Sequence, residues 1–230
     1  MILVLYNLLM NQKIVAVIPA FNEYTKLSGV IEQTLKYVEE IIVIDDGSKR
    51  PLKDFLPSLP NLFTLRHKIN LGKGAALKTG VEFAKMRKAD FVVFIDADGQ
   101  HNPSEIPSLI APLADDNADI VFGVRKFHEK MPLVARLGNI FLTQISQLLF
   151  RIKVSDTQSG FRAININIYP KIVWRSPRYA VETEMIVNAG KVKARFAEVP
   201  IQTIYHDKYR GTTVLDGIRI FFNMIYWKFL

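Results

Sequence analysis

The feature that most constrains this chain is a set of uninterrupted apolar runs, each closed by polar residues. "KIVAVIPAF" (13–21), "EIIVIDDGS" (40–48), "DFVVFIDADG" (90–99) and "DIVFGVR" (119–125) show no apolar–polar alternation. A strand with one wet face alternates, whereas a strand covered on both faces does not. These runs are therefore expected to be strands buried on both sides, with "LFTLRH" (62–67) a weaker one. Between them, "NEYTKLSGVIEQTLKYV" (22–38) sets Leu27, Val30, Ile31, Leu35 and Val38 at helical spacing. "GKGAALKTGVEFAKMRK" (72–88) does the same with Leu77, Val81 and Ala84, and "EIPSLIAPLADD" (105–116) reads as a helix interrupted by proline. Strand and helix alternate, which predicts an α/β fold with a mostly parallel central sheet and helices on both faces.

In such sheets ligands gather at the carboxyl ends of the strands. Here those ends read Pro19–Glu23, Asp45–Ser48, Asp96–Gln100 and Gly123–Arg125, and three of the four are acidic. Beyond Arg125 the pattern changes. Residues 131–152 and 212–230 form two long amphipathic helices, apolar enough to pack hard or to touch lipid. Residues 154–164 are a polar loop turning back into apolar sequence, 180–191 look helical and 194–205 look like strands. No repeat, linker or low-complexity tract divides the 230 residues, so a single domain is expected.

Composition narrows the chemistry. The absence of cysteine excludes disulfides, thiolate metal sites and cysteine nucleophiles, and fits a reducing compartment. The net charge of +8 is uneven: residues 121–180 alone hold ten Lys/Arg against two acids. Such a block suggests an anionic partner, with a solvated face as the plain alternative. No nucleic-acid-binding motif accompanies it, so no nucleic acid partner is expected. No stretch reaches the ~18–20 apolar residues of a membrane span. The opening "MILVLYNLLM" lacks a signal-peptide pattern and fits an extra strand, a membrane-touching segment or a disordered start equally.

Asp96 and Asp98 lie two residues apart, so on an extended backbone both carboxylates face one point. Two unit charges about 5 Å apart repel by a few kcal/mol at an effective dielectric of ~20. A divalent cation reverses that sign, and oxygen ligands, with Gln100 as a third, suit Mg²⁺ or Mn²⁺. The plain alternative is a loop of solvated acids capping the next helix. "NLGKGAA" (70–76) lacks the spaced first glycine and the Ser/Thr after lysine of a P-loop. For its Lys73, a place near the ligand and a solvated position both remain open.

"IPAFNE", "VIDDGS" and "FIDADGQH", followed by "GVR" and "VSDTQSGFR", have the order and spacing of family 2 glycosyltransferases of the GT-A fold. Over roughly residues 13–210 the chain resembles the subgroup that includes dolichol-phosphate mannose synthase and related polyprenyl-phosphate glycosyltransferases. The resemblance implies a GT-A domain over 1–230, with about 13–125 binding a nucleotide sugar and about 126–230 binding the acceptor. It implies a nucleotide site at Pro19, Phe21, Glu23, Ile44 (through its backbone), Asp46, Asp96, Ala97 and Arg125. Where Phe21 stands the family more often has tyrosine, so a hydroxyl contact is lost. It implies metal ligation by Asp96, Asp98 and Gln100, and catalytic roles for Asp98 and for Asp156, the latter as base or acceptor organiser. Arg136, Arg162, Lys208 and Arg210 are the candidates for acceptor phosphate or diphosphate. For His101 and His206, a metal ligand and an ordinary loop histidine both stay open.

The expected activity is inverting, metal-dependent transfer of a sugar from GDP-mannose or a UDP-sugar to a polyprenyl or dolichyl phosphate. The enzyme would sit peripherally on the cytoplasmic face of a membrane, held by the lipid surface or a membrane-protein partner. An alternative keeps the family and changes the acceptor to a saccharide or protein. A more distant one is a receiver-like binding module with an acidic metal pocket, about half this size.

Overall fold

The apolar runs become strands of one seven-stranded sheet with the order β3-β2-β1-β4-β6-β5-β7. The structure, a computed structural model, describes residues 12–125, 133–150, 153–204 and 214–229. The front half contains β1 (Ile14–Ala20), α1 (Leu27–Thr34), β2 (Glu40–Asp45), β3 (Leu62–Arg66), α2 (Lys73–Met86) and β4 (Phe91–Phe94). After α3 (Ile106–Ala114) and β5 (Ile120–Arg125) come α4 (Leu133–Phe150), β6 (Arg162–Asn165) and the short α5 (Tyr169–Ile172). The chain closes with α6 (Val181–Lys191), β7 (Phe196–Ile201) and α7 (Val214–Phe229).

Strands β3, β2, β1 and β4 run parallel, as do β5 and β7. Strand β6 lies antiparallel between β4 and β5, pairing Phe94 and Phe122 with Arg162. Sequence pattern alone predicts a loop turning back into apolar sequence over 154–164, because "RAIN" is too short and too polar at its start to announce a central strand.

Strand pleat divides the interior into two layers. Ile14, Ala16, Ile18, Ile41, Val43, Phe91 and Val93 face Leu27, Val30 and Ile31 of α1 and Leu109 and Ile110 of α3. Their neighbours Val15, Val17, Ile42, Ile44, Val92 and Phe94 face Ala76, Leu77 and Val81 of α2 and Val181, Met185 and Ile186 of α6. Runs without polar alternation were needed because both parities are buried. Trp174 anchors the second layer: its ring meets Phe94 and Tyr169 edge-on, and its indole N–H donates to the Gly74 carbonyl at 2.7 Å. That bond fixes the first turn of α2.

Helix α1 covers only the middle of the periodic segment 22–38, because residues 21–26 turn around the mouth of the cleft before the helix begins. Helices α4 and α7 pack on each other through Leu142, Ile220 and Met224, with Ala180 beneath. Their outer sides leave Leu137, Phe141, Leu148, Leu215, Ile218, Phe222, Tyr226 and Phe229 exposed. Among the described residues no helix is long and apolar enough to cross a membrane.

Candidate active site

The carboxyl ends of β1, β2 and β4 open into a cleft of about 610 Å³, within the usual range for small-ligand sites. At the end of β1, Asn22 adopts a left-handed conformation (φ 56°) that turns the chain across the rim. Its N–H donates to the Ser48 hydroxyl at 2.8 Å and its side-chain oxygen accepts the Lys49 N–H at 2.9 Å. These bonds stitch the β1 and β2 loops together. Pro19, half-exposed Phe21 and Glu23 line this end, and Glu23 accepts the Thr25 hydroxyl at 2.9 Å.

Asp45 and Asp46 divide the work. Asp45 is buried and accepts N–H bonds from Ser48 (2.8 Å) and Leu52 (3.0 Å) and the Arg66 guanidinium (2.6 Å). It holds the turn. Asp46 lines the cleft and accepts the Leu71 and Gly72 N–H groups at 3.0 and 2.7 Å. His67 Nδ1 lies 2.7 Å from Asp46, with Nε2 2.9 Å from the Thr79 hydroxyl. Ile44, expected near the nucleotide through its backbone, is buried in β2 between β1 and β3, two residues before Asp46.

Past β4, Asp96, Ala97, Asp98 and Gln100 line the deep wall. The Lys73 ammonium sits 2.6 Å from Asp96 and 2.8 Å from Glu182. His101 Nε2 is 3.3 Å from Asp96, and its ring stacks on Phe161 with centroids 5.0 Å apart. Burial favours the neutral Asp96 acid, but the Lys73 charge and the His101 contact outweigh it and hold the carboxyl well below its usual range. Burial likewise opposes charge on Lys73, yet Asp96 and Glu182 keep it an ammonium well above the ordinary lysine range. Asp98 behaves oppositely. Burial and the adjacent Asp96 charge raise its pKa, with the Gln100 N–H (3.0 Å) offsetting only part.

Among the described residues no group of three or more His, Cys, Asp or Glu is arranged to hold a metal. Two carboxylates lining one cleft, Asp98 with one oxygen on the Gln100 N–H, fit by their oxygen chemistry a hard divalent cation that keeps water and takes its other ligands from a bound phosphate. Gly160 completes this wall. A Cβ there would stand 2.7 Å from the Lys73 ammonium and 2.8 Å from an Asp96 oxygen, so only glycine leaves both groups in place.

Two other expected site residues have different work. Asp156 is 1 % exposed and does not face the cleft. Both its oxygens are held by Arg125, at 2.6 and 2.9 Å. Burial would raise its pKa, but the Arg125 charge and hydrogen bonds bring it below the usual value. It positions Arg125, which does line the cleft, and offers no open base to an acceptor. Arg162, expected at a phosphate, is also 1 % exposed. Its guanidinium donates to the carbonyls of Thr157 (2.9 Å), Ser159 (2.8 Å) and Glu182 (2.5 Å). Burial lowers its pKa to about 10, and its donors are turned inward. Lys208, Arg210, His206 and the Arg136 side chain lie outside the described residues.

Sequence pattern alone leaves the duties of Lys73 and His101 open and does not single out Glu182. The signal for Lys73 was its place between two glycines at a helix start after a strand. Gly72 has φ 100°, and a Cβ there would meet the Pro177 carbonyl at 2.5 Å, so the helix start is pressed against the loop before α6. For Glu182 the sequence offered only two acids in the first turn of a helix.

Sheet order, acidic strand ends and a two-carboxylate wall define an α/β protein of the GT-A type. Residues 15–173 match the profile of glycosyl transferase family 2, and the chain belongs to that family; it is a glycosyltransferase. It is 32% identical over 243 residues to the UDP-N-acetylglucosamine–dolichyl-phosphate N-acetylglucosaminyltransferase of Methanococcus voltae, covering 95% of this chain and 97% of that one. It is 28% identical to the dolichyl-phosphate beta-glucosyltransferase ALG5A of Trichomonas vaginalis, covering 92% and 74%. Glucosyl-3-phosphoglycerate synthase of Mycobacterium tuberculosis, solved with Mg²⁺ and UDP, superposes with a TM-score of 0.80 at 20% identity, covering 100% of this chain and 84% of that one. The last likeness shows the fold. Family and fold together set aside the receiver-like module.

Proposed function

We propose that the protein transfers a sugar, with inversion, from a nucleoside-diphosphate sugar to a polyprenyl or dolichyl phosphate at a membrane surface, using Mg²⁺ or Mn²⁺. The observation that carries this reading is the pair of carboxylates Asp96 and Asp98 lining one cleft at the strand ends, where such sheets bind ligands. The names of the relatives, two of them dolichyl-phosphate glycosyltransferases, support the acceptor class.

On this reading Pro19, Phe21, Glu23 and Asp46 hold base and ribose, and Asp96, Ala97 and Arg125 meet the diphosphate. Asp96, Asp98 and Gln100 would hold the metal ion, which when bound neutralises charge on the departing diphosphate. Lys73 and Arg125 add fixed positive charge to the same end. With Asp156 locked to Arg125, the saccharide or protein acceptor, which needs a base, loses the residue expected to serve it. A phosphate acceptor is already ionised and needs only positioning. The exposed apolar side of α4 and α7 supports peripheral attachment, on the cytoplasmic face where the lipid surface is anionic.

The test is incubation with Mn²⁺ or Mg²⁺, UDP-glucose, UDP-N-acetylglucosamine or GDP-mannose, and polyprenyl phosphate in anionic vesicles. A glycosylated lipid phosphate is the expected product. No transfer from any donor, together with no nucleotide binding, overturns the reading.

A further inference from the structure

Asp46 reaches the cleft with most of its hydrogen-bonding capacity already used by the protein. An ionised carboxylate has about four acceptor positions and no donor. Oδ1 fills two of them, with the Leu71 N–H at 3.0 Å and His67 Nδ1 at 2.7 Å. Oδ2 fills one, with the Gly72 N–H at 2.7 Å. A single position is left, on Oδ2, and Asp46 is buried yet lines the cleft. It therefore offers a ligand one acceptor of fixed direction.

Among the described residues, His67 supplies the only side-chain bond to Asp46. It stands directly after β3, and its own N–H donates to the Asp45 carbonyl at 2.9 Å. Because a carboxylate only accepts, the short Asp46 contact requires the proton on Nδ1. In the neutral ring Nε2 is then an acceptor, and the Thr79 hydroxyl of α2 lies 2.9 Å from it. The imidazole, 12 % exposed, is thus held at both nitrogens between the loop after β2 and a helix of the core. Without its N–H, Oδ1 regains an open position, and the carboxylate has two acceptors free to turn toward a ligand.

Chemistry decides what one fixed acceptor can meet. The ring N3–H of uracil and the ring N1–H of guanine are donors. The matching nitrogens of cytosine and adenine carry lone pairs, which oppose the carboxylate. Their amino groups could be met only by a carboxylate that re-aims. We infer that His67, braced by Thr79, is a positioning residue for base selection: it holds Asp46 with one open acceptor, so the cleft takes uracil or guanine nucleotides and rejects cytosine and adenine. The inference rests on the donor reading above, in which Asp46 meets the base, and adds the residue that sets the carboxylate's aim.

Calorimetric titration in Mn²⁺ with UDP, GDP, CDP and ADP tests this. UDP and CDP share ribose and diphosphate, so their affinity ratio isolates the base. Wild type is expected to bind UDP or GDP at least about tenfold more tightly than CDP and ADP, the value of a hydrogen bond to a charged group. His67→Leu should shrink that ratio about tenfold. His67→Asn, which can place an amide N–H near the Nδ1 position, should restore most of it. Thr79→Val should cost a few-fold of the ratio, and it keeps the question open to measurement if the His67 variants fail to fold. An unchanged ratio in His67→Leu or, should it not fold, in Thr79→Val overturns the inference. So does equal weakening of all four nucleotides, or a loss that His67→Asn leaves in place, since His67 would then serve the fold alone. Wild type that binds all four alike overturns it too, while the donor reading stands on the binding itself. If no nucleotide binds wild type, the donor reading fails and the inference with it.

Discussion

Asp45 and Asp46 are adjacent and chemically identical, yet one residue of strand pleat sends the first into a turn and the second to the cleft. The same economy of position separates Asp96, neutralised by Lys73, from Asp98, which is not. Asp98→Asn should cost more donor affinity in Mn²⁺ than the about 10–100-fold typical of outer-shell partners. It should leave the melting temperature equal or higher, because a buried like charge is removed. Titration and a thermal scan on one preparation check both. Asp156→Asn should do the reverse, costing roughly 3 kcal/mol at neutral pH by breaking the buried Asp156–Arg125 ion pair. The Asp156 pKa is lower folded than its value of ~3.9 in the unfolded chain, so the pair stabilises the fold above that pH. That contribution disappears as pH falls through the lower, folded value. Urea unfolding should show the gap between wild type and Asp156→Asn constant near neutrality and closing below about pH 4. Arg162→Met should cost at least about 3 kcal/mol, since it strands three buried carbonyls.

At the scale of elements, the strands and major helices were legible because burial on both faces and helical spacing are written in residue type. What was not legible has a common cause. Strand β6 is four residues long and is defined by its two neighbours, not by its own composition. The fates of Asp156, Arg162 and Glu182 depended on which way a loop and a helix start faced, and no local pattern sets that. The motif residues Asp96, Asp98, Gln100 and Arg125 line one cleft, whereas the side chains of Asp156 and Arg162 are turned into the protein. Helices α4 and α7 are the clearest mixed case, since each packs on the other and also keeps an apolar side in solvent. Leu215, Ile218, Phe222, Tyr226 and Phe229 recur at the spacing of one helical face. Phe222→Asp is expected to change folding stability by no more than about 0.5 kcal/mol, as an exposed substitution. It should sharply reduce co-sedimentation with anionic vesicles, and unchanged sedimentation would remove α7 from the membrane contact.

At the scale of the whole molecule, the cleft draws on both halves of the chain: Asp96 from just past β4, Lys73 from α2, Glu182 from α6 and Gly160 from the loop before β6. Nucleotide and metal should therefore stabilise the entire fold. At a ligand concentration of about 100 times Kd the gain is ~2.7 kcal/mol. For a domain of this size that is a rise in melting temperature of roughly 5–10 °C, readable by differential scanning fluorimetry. The antiparallel β6 has a further consequence, for a chain still being made. Strand β4, with sequence Phe91–Phe94 "FVVF", borders β1 on one side and on the other waits for residues 162–165. At synthesis rates of about 5–20 residues per second, that apolar edge has no native cover for several seconds after it emerges. The last strand to enter the sheet's centre is thus also the one that covers the apolar β4 edge, which stays without its native neighbour until Arg162 arrives.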